Sequence, residues 1–451
     1  MTASPSDGST ASLAFASAFQ ATIWGYPLVI TGATARLITQ VPKPMPNAHA
    51  PINQLGHVTR VFGPEDRDVV SPNADTCYSS AVLDLHQGAA LIEMPDAGAR
   101  YHSLQMLDAY TNVFGYIGTR ATGNRAGKYL IVGPGWAGEV PADVARVFTA
   151  PSPLVWMIGR TLVDGADDLP ALAAFQNAIK LSMIGPATHD TPLWERTQLA
   201  PLPPAPPVQQ IAKMEPETFF HWLGQLMHDN PPAREHVAHV AQFAAFGLTM
   251  RQGFAPDTLD AETRDGAAKG YHAAMATLRE GAGRPAGVPM NGWNCAPAAG
   301  EWQDRFMTRA IIALRSLGQN TVEESIYLNA MTDGTGQALD GRKEYRLRFA
   351  AGSLPPAQCF WSITAYTEEA FLVPNALNRC SIGSRDAGLH FDPDGSIAFH
   401  FSAQKPATPE ALANWLPVPP SGPFRLSLRL YIPSSAAING DWVPPGLEQI
   451  T

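Results

Sequence analysis

Two stretches of the chain hold most of the side chains that could carry out chemistry. One runs from Asn73 to Leu85 and the other from Arg100 to Asn112. Both are rich in carboxylates, phenols or imidazole, groups that give and take protons in general acid–base catalysis. We therefore predict four catalytic residues, which are Asp75, Tyr78, His102 and Asp108. The neighbouring side chains that could hold a polar or anionic substrate are Asn73, Arg100, Tyr101, Tyr110 and Asn112.

The position of these groups depends on the strand that carries the second stretch. If residues 100–108 form one β-strand, Arg100, His102 and Asp108 share one of its faces. We expect Asp75 and Tyr78 to reach that face from a neighbouring strand, which would give a pocket that binds an anion and moves a proton. The alternative is a buried polar network that braces the strand ends, because Asn and Asp are also good turn and cap residues.

A second set of candidate binding residues lies in the C-terminal part. It combines aromatic rings with hydrogen-bonding groups, which suits sugars because a ring covers C–H surface while polar groups bind hydroxyls. The alternative is that these aromatic side chains only pack the core or the edge of a sandwich. The set contains Trp361, Thr364, Tyr366, Asn414, Trp415, Arg429 and Tyr431.

Motifs for common cofactors are missing from the sequence. We find no GxSxG nucleophile elbow and no P-loop, and we therefore predict no organic cofactor. A divalent metal is possible, since Asn73, Asp75 and Asp108 carry hard oxygen ligands.

Composition narrows the class of protein. The 451 residues include 45% hydrophobic and 16% charged residues, an ordinary globular composition. The net charge of −9 and the lack of a basic run argue against a nucleic-acid partner. The N-terminus lacks the basic region of a signal peptide, and the apolar run Ile23 to Ile30 is far shorter than a membrane span. We therefore expect a soluble, cytoplasmic protein without a membrane partner.

Hydrophobic periodicity divides the chain into four parts. We predict an N-terminal helix at 1–40, a β-sandwich at 41–163, a helix-rich segment at 164–320 and a second β-sandwich at 321–451. Short strands separated by turn residues, without helices between them, favour antiparallel sheets. Apolar and polar residues alternate with a period of two at 345–349, 397–401 and 424–430, so each strand has one core face and one polar face. The predicted fold is mainly β, with two antiparallel, jelly-roll-like sandwiches and a helical insertion.

Several motifs resemble a bacterial family of unknown function. WGYPL from Trp24, NADTCYSSAVLDL from Asn73 and YLIVGPGW from Tyr129 are similar to the domain of unknown function 1254. DGTGQALDGRKEYRLRF from Asp333, LPPAQCFWSITAY from Leu354 and DWVPP from Asp441 are similar to its usual partner, the domain of unknown function 1214. The resemblance implies tandem jelly rolls with a helical portion, and it implies no particular reaction.

These observations lead to two functional hypotheses of different classes. The first is a cofactor-independent hydrolase or lyase that acts on a small polar or carbohydrate-like molecule through carboxylate, Tyr and His acid–base chemistry. The alternative is a non-catalytic glycan-binding protein or a capsid-like assembly protein, built around an aromatic groove near Trp361 and Trp415. A homo-oligomer is possible in either case.

Overall fold

The computed structural model describes residues 7–66, 71–284, 287, 289–295 and 300–450. The first six residues of the predicted N-terminal helix lie outside this part of the chain. The helix itself, α1, extends over Asp7–Thr39, and residues 21–33 are all buried, as expected for a helix that is apolar on every side. By length and composition, Ser9–Thr39 could also cross a membrane, but 72% of its apolar window is buried inside the protein.

The N-terminal sandwich consists of two sheets packed face to face. Its strands are β1 (Gly56–His57), β2 (Thr76–Asp84), β3 (Ala89–Met94), β4 (His102–Asp108), β5 (Val113–Gly118), β6 (Gly127–Val132), β7 (Val144–Thr149), β8 (Leu154–Leu162) and β9 (Lys180–Ile184). One sheet has the order β1-β2-β8-β4-β5 and the other β7-β6-β3-β9. The core between them contains Leu83, Ile92, Met106 and Ile131.

The helical part surrounds α1. Its helices are α2 (Leu169–Ala178), α3 (Leu193–Thr197), α4 (Pro207–Ala212), α5 (Pro216–Asp229), α6 (Val237–Ala241), α7 (Ala261–Gly283) and α8 (Phe306–Ser316), with a hairpin of β10 (Leu248–Thr249) and β11 (Gly253–Phe254). Helices α1 and α7 pack closely because Gly266 and Gly270 have no side chains. A Cβ atom at either glycine would collide with the backbone of α1, at Ala11 and Phe15 respectively.

The C-terminal sandwich is built in the same way. Its elements are β12 (Pro289–Met290), β13 (Trp293–Cys295), β14 (Ser325–Ala330), β15 (Tyr345–Phe349), β16 (Ala357–Thr367), β17 (Ser381–Gly383), β18 (Ile397–Ser402), α9 (Pro409–Ala413), β19 (Trp415–Pro417), β20 (Phe424–Pro433), α10 (Ser435–Ile438) and β21 (Glu448–Gln449). The sheets have the orders β12-β13-β14-β20-β16-β17 and β19-β18-β15-β21. Leu328, Leu347, Phe399 and Leu428 lie in the core between them.

The coarse fold prediction is confirmed, since several mainly antiparallel sheets are combined with helices. Helices account for 30% of the chain and strands for 27%, so the helical share is as large as the β share. The sandwiches also recruit strands from the segment predicted as helix-rich, because β9 pairs with β3 and β13 pairs with β14. The described residues form no closed barrel.

A buried ion cluster joins the helical part to the N-terminal sandwich. Arg196 of α3 donates from Nη2 to Oδ1 of Asp84 at the end of β2, at 3.1 Å, and from Nε to Asp229 at the end of α5. Both carboxylates are buried, with 1% and 7% of their surface exposed. Removing Arg196 would leave them without their shared cation.

Candidate functional site

The five-stranded sheet of the N-terminal sandwich has a polar outer face. Tyr78 of β2 lies opposite Arg160 of β8, and Arg160 lies opposite Ser103 of β4. Residues opposite each other in a sheet project from the same face. This face is turned away from the core of its own sandwich, which contains Leu83 and Met106.

The six-stranded sheet of the C-terminal sandwich has a matching polar face. Tyr327 of β14 and Ser362 of β16 both lie opposite Arg429 of β20. The alternation FRLSLRLY in β20 gives the sheet one apolar face, buried in its own core, and this second face with Arg429 and Tyr431.

The two polar faces pack against each other between the sandwiches, and this contact holds the candidate site. Tyr101 from the N-terminal side packs its ring edge-on against Phe360 and Tyr431. We call the polar residues at this contact the interdomain polar layer. It consists of Asp75, Tyr78, Arg160, Asn320, Tyr327, Ser362, Thr364, Tyr366, Arg429 and Tyr431.

Asp75 is the carboxylate that ties the two sandwiches together. Its Oδ2 accepts a hydrogen bond from Ser362 Oγ at 2.6 Å and from the Tyr431 hydroxyl at 3.3 Å. Its Oδ1 lies 3.5 Å from a guanidinium nitrogen of Arg385. Asn73 orients the hydroxyl of Tyr431 by donating to it at 2.7 Å. Burial, and next the charge of Asp75, raise the pKa of Tyr431 well above its usual value.

Arg429 anchors the C-terminal side of the layer. Its guanidinium donates to Thr364 Oγ1 at 2.7 Å and to the hydroxyl of Tyr366, and only 4% of its surface is exposed. Burial lowers the pKa of Arg429, but Tyr366, Tyr431 and Asp75 together outweigh it and the net direction is upward. The residue therefore carries its charge inside the protein.

Arg160 anchors the N-terminal side. It donates from Nη1 to Gln105 Oε1 at 2.8 Å and to Asn320 Oδ1 at 2.9 Å, and from Nη2 to the carbonyl of Gly318 at 2.8 Å. Asn320 in turn donates to the hydroxyl of Tyr327 at 3.0 Å. Because Tyr327 lies opposite Arg429 in the sheet, a row of polar residues links the two arginines.

Tyr78 packs its ring near the guanidinium of Arg160 and differs in its hydrogen bonding from the other phenols of the layer. Its hydroxyl makes no hydrogen bond to any residue that the structure describes, and the residue, like Tyr327, is partly exposed. Burial raises the pKa of Tyr78, while the charges of Arg160 and Arg429 oppose this increase. The phenol is therefore neutral at ordinary pH, and its hydroxyl is available as a proton donor.

The predicted catalytic residues do not all meet. Asp75 and Tyr78 belong to the layer, but His102 projects from the opposite face of the sheet, where its ring contacts Phe175 and burial lowers its pKa. The expected common face of Arg100, His102 and Asp108 therefore points away from the layer. The reason is that β4 is buried on both faces, so the polarity of its residues does not show which face meets the other sandwich.

Arg100 and Asp108 have local structural partners instead. Arg100 forms a two-pronged ion pair with Asp168, at 2.5 and 2.6 Å. Asp108 caps its own loop, accepting from the backbone nitrogens of Tyr110 and Asn112 and from the side chain of Asn112 at 2.9 Å. Burial raises the pKa of Asp108, although these hydrogen bonds oppose the increase.

The remaining predicted binding residues are divided between the layer and other parts of the molecule. Tyr101 borders the layer, where its hydroxyl donates to Glu324 at 2.8 Å. Tyr110 donates to the carbonyl of Asn230 and packs on Trp24 in the helical part. Of the C-terminal set, Thr364, Tyr366, Arg429 and Tyr431 belong to the layer.

The two tryptophans of the expected aromatic groove are both buried. Trp361 packs against Phe349 and Phe399 in the C-terminal core. Trp415 is 7% exposed, and its indole donates to the carbonyl of Ser402. Asn414 holds neighbouring backbone by donating to the carbonyls of His390 and Ala398. These three residues therefore do not present a groove.

The three hypothesised metal ligands do not share one set of hydrogen-bond partners. Asn73 and Asp75 share Tyr431 as a partner, whereas the oxygens of Asp108 are used in its own loop. In the part of the chain that the structure describes, no three His, Cys, Asp or Glu residues form a group that could hold a metal ion. The metal hypothesis remains a prediction.

Sequence reasoning missed four residues of the layer, which are Arg160, Asn320, Tyr327 and Ser362. Two of them follow a readable pattern. Arg160 has the period-two spacing that places it on the same face of β8 as Trp156 and Ile158. Ser362 shares the period-two face of Thr364 and Tyr366 in β16. Asn320 lies in the loop between α8 and β14, and nothing in the sequence marks it.

Similarity to known proteins agrees with this architecture. A family model described as a protein of unknown function, DUF1254, matches residues 52–183, and a second, DUF1214, matches residues 324–435. The crystal structure of the VPA0106 protein from Vibrio parahaemolyticus is similar with a TM-score of 0.70 and 22% identity, over 97% of this chain and 100% of that one. An uncharacterized protein from Burkholderia cenocepacia gives a TM-score of only 0.45 and 11% identity, over 98% and 96% of the two chains. No curated protein matches the chain.

Proposed function

Because the chain belongs to the family in which a DUF1254 domain is followed by a DUF1214 domain, both of unknown function, we propose a function from the interdomain polar layer itself. The protein is an enzyme, a hydrolase or a lyase, that acts on a small polar or carbohydrate-like molecule by acid–base chemistry. It needs no organic cofactor for this chemistry.

The free hydroxyl of Tyr78 is the observation that carries the proposal. The other phenols of the layer, those of Tyr327, Tyr366 and Tyr431, all make hydrogen bonds, as Tyr366 does by donating to the carbonyl of Pro72 at 2.8 Å. Tyr78 has no such partner among the described residues, and its raised pKa keeps the proton on the oxygen. It is thus suited to protonate a leaving group or a developing oxyanion.

Asp75 supplies the complementary base. The hydroxyl of Tyr431 lies 3.3 Å from its Oδ2 and can relay a proton, giving its own to Asp75 while it takes one from water or substrate. In a hydrolase the proton comes from the attacking water, and in a lyase it comes from carbon. His102 and Asp108 have no part in this scheme, since neither belongs to the layer.

Tyr78→Phe tests the proposal against a matched control. Tyr129→Phe removes another hydroxyl without a hydrogen bond among the described residues, but from the core of the N-terminal sandwich. On a panel of small esters, hydroxy acids, uronates and glycosides, Tyr78→Phe should lower kcat about 10²- to 10⁴-fold, the usual contribution of one acid–base group. Tyr129→Phe should leave kcat unchanged. Equal turnover in both variants, or no turnover of any panel member by the native protein, would contradict the proposal.

The finer expectations on fold and partners are proposals as well. We infer a jelly-roll connectivity for the two sandwiches, supported by their paired sheets. We also propose that the protein is cytoplasmic and has no nucleic-acid or membrane partner. The net charge of −9 supports the absence of a nucleic-acid partner. Glycan binding without catalysis has weaker support, because Trp361 and Trp415 are buried.

A further inference from the structure

Two arginines of the interdomain polar layer are buried without a carboxylate partner. Arg160 and Arg429 are 6% and 4% exposed. Their hydrogen bonds go to an amide, a hydroxyl, a phenol or a backbone carbonyl, all of which are neutral. In the part of the chain that the structure describes, neither guanidinium forms an ion pair. Buried charges in proteins are usually paired, so this arrangement calls for an explanation.

The two buried carboxylates at this contact already have cations of their own. Asp75 faces Arg385 at 3.5 Å, and Glu324 accepts from Arg120 Nε at 2.7 Å. Glu324 also accepts from Tyr101. The charges of Arg160 and Arg429 are therefore in excess at the centre of the layer.

A chain of polar side chains connects the two guanidinium groups. Asn320 contacts Arg160 and Tyr327, and Tyr327 lies opposite Arg429. The ring centre of Tyr78 lies 5.8 Å from the guanidinium carbon of Arg160. The hydroxyl of Tyr78, which has no hydrogen bond among the described residues, is thus a third donor in the layer.

We infer that the molecule bound in the layer carries an anionic group, a carboxylate or a phosphate, placed between Arg160 and Arg429. The inference rests on the proposed function, because it names the substrate class of the same site. Planar guanidinium groups match the oxygens of carboxylate and phosphate, and these bonds strengthen where water is excluded. A neutral sugar would leave both guanidinium groups without an ion pair.

The test measures binding of simple anions to the full-length protein by calorimetry at constant ionic strength. The probes are inorganic phosphate and malonate, and malonamide is the neutral counterpart of malonate. The native protein should bind at least one of the two anions and not malonamide. Arg429→Gln should weaken that binding tenfold or more, and Arg429→Lys, which keeps the charge but loses the planar fork, should weaken it less. Arg346→Gln is the control, because Arg346 forms an exposed ion pair with Glu448 on the other sheet.

Three binding results would overturn the inference. These are no binding of either anion, equal binding of malonamide, and an unchanged anion affinity in Arg429→Gln. If Arg429→Gln does not fold, anion binding is measured instead with Arg429→Lys, which should weaken it. In the native protein, malonate and phosphate should also compete for one site. Tyr78→Phe separates this inference from the proposed function. If the anions bind but Tyr78→Phe does not change turnover, only the proposed function is refuted. If turnover depends on Tyr78 but the anions do not inhibit it, only the anion inference is refuted.

Discussion

The hydrogen bond between Asp75 and Ser362 should make a measurable contribution to the docking of the two sandwiches. The bond is 2.6 Å long and joins side chains that are 1% and 3% exposed. A hydrogen bond to a charged group contributes about 1.5–3 kcal/mol. In a double-mutant cycle of Asp75→Ala and Ser362→Ala, the coupling energy should therefore be about 1.5–3 kcal/mol.

The assay is urea unfolding monitored by tryptophan fluorescence. Because a chain of this size need not unfold in one step, the free energy is taken from the first transition. The control cycle combines Asp75→Ala with Ser396→Ala. Ser396 is equally buried but bonds to Asp392 and Asp394 instead. The control pair should be additive to within about 0.5 kcal/mol. A coupling energy for Asp75 and Ser362 no larger than that of the control would refute the reasoning.

Three further predictions concern the scaffold. Gly270→Ala should destabilise the protein by about 1–3 kcal/mol, because the new methyl group forces α7 away from α1. The control is Gly283→Ala in the same helix, where the added methyl group meets no atom within 4 Å and should not destabilise the protein. Thermal unfolding of the two variants compares their stability. Burial lowers the pKa of His102, so near this pKa the unfolded chain binds a proton that the folded chain does not. The free energy of unfolding should therefore fall as the pH drops below about 6.5. His102→Gln should reduce this pH dependence by up to about 1.4 kcal/mol per pH unit, measured by urea unfolding at several pH values. Arg196→Ala should lower the free energy of unfolding by about 3–5 kcal/mol at pH 7, because two buried carboxylates lose their cation. Urea unfolding measures this, and a decrease below about 1 kcal/mol would contradict the prediction.

The sequence predicts strands better than it predicts which strand faces meet. In β20, apolar Leu426 and Leu428 alternate with Ser427 and Arg429, and this contrast correctly separates the core face from the polar face. In β4 both faces are buried, one in the core of its own sandwich and the other beside Gln319 in the segment after α8. Polarity therefore gave no information about the direction of His102, and the predicted grouping with Asp75 and Tyr78 is not observed.

The candidate site could be predicted only in part for a related reason. Asp75, Tyr78 and Arg429 stand in segments whose composition drew attention to them. Their meeting depends on contacts between positions about 350 residues apart, such as Asn73 with Tyr431. No local pattern encodes such a contact, because it arises from the packing of two separately formed sheets. The role of Asn320, in a connecting loop, could not be predicted for the same reason.

The polar character of the contact between the sandwiches has a calorimetric consequence. Exposing apolar surface raises the heat capacity of a protein, whereas exposing polar surface lowers it. Unfolding either sandwich exposes an apolar core and should raise the heat capacity strongly. Separating the two intact sandwiches exposes mainly polar groups together with the rings of Tyr101, Phe360 and Tyr431, and should raise it less. The force that holds the halves together should therefore vary less with temperature than the force that holds each half folded.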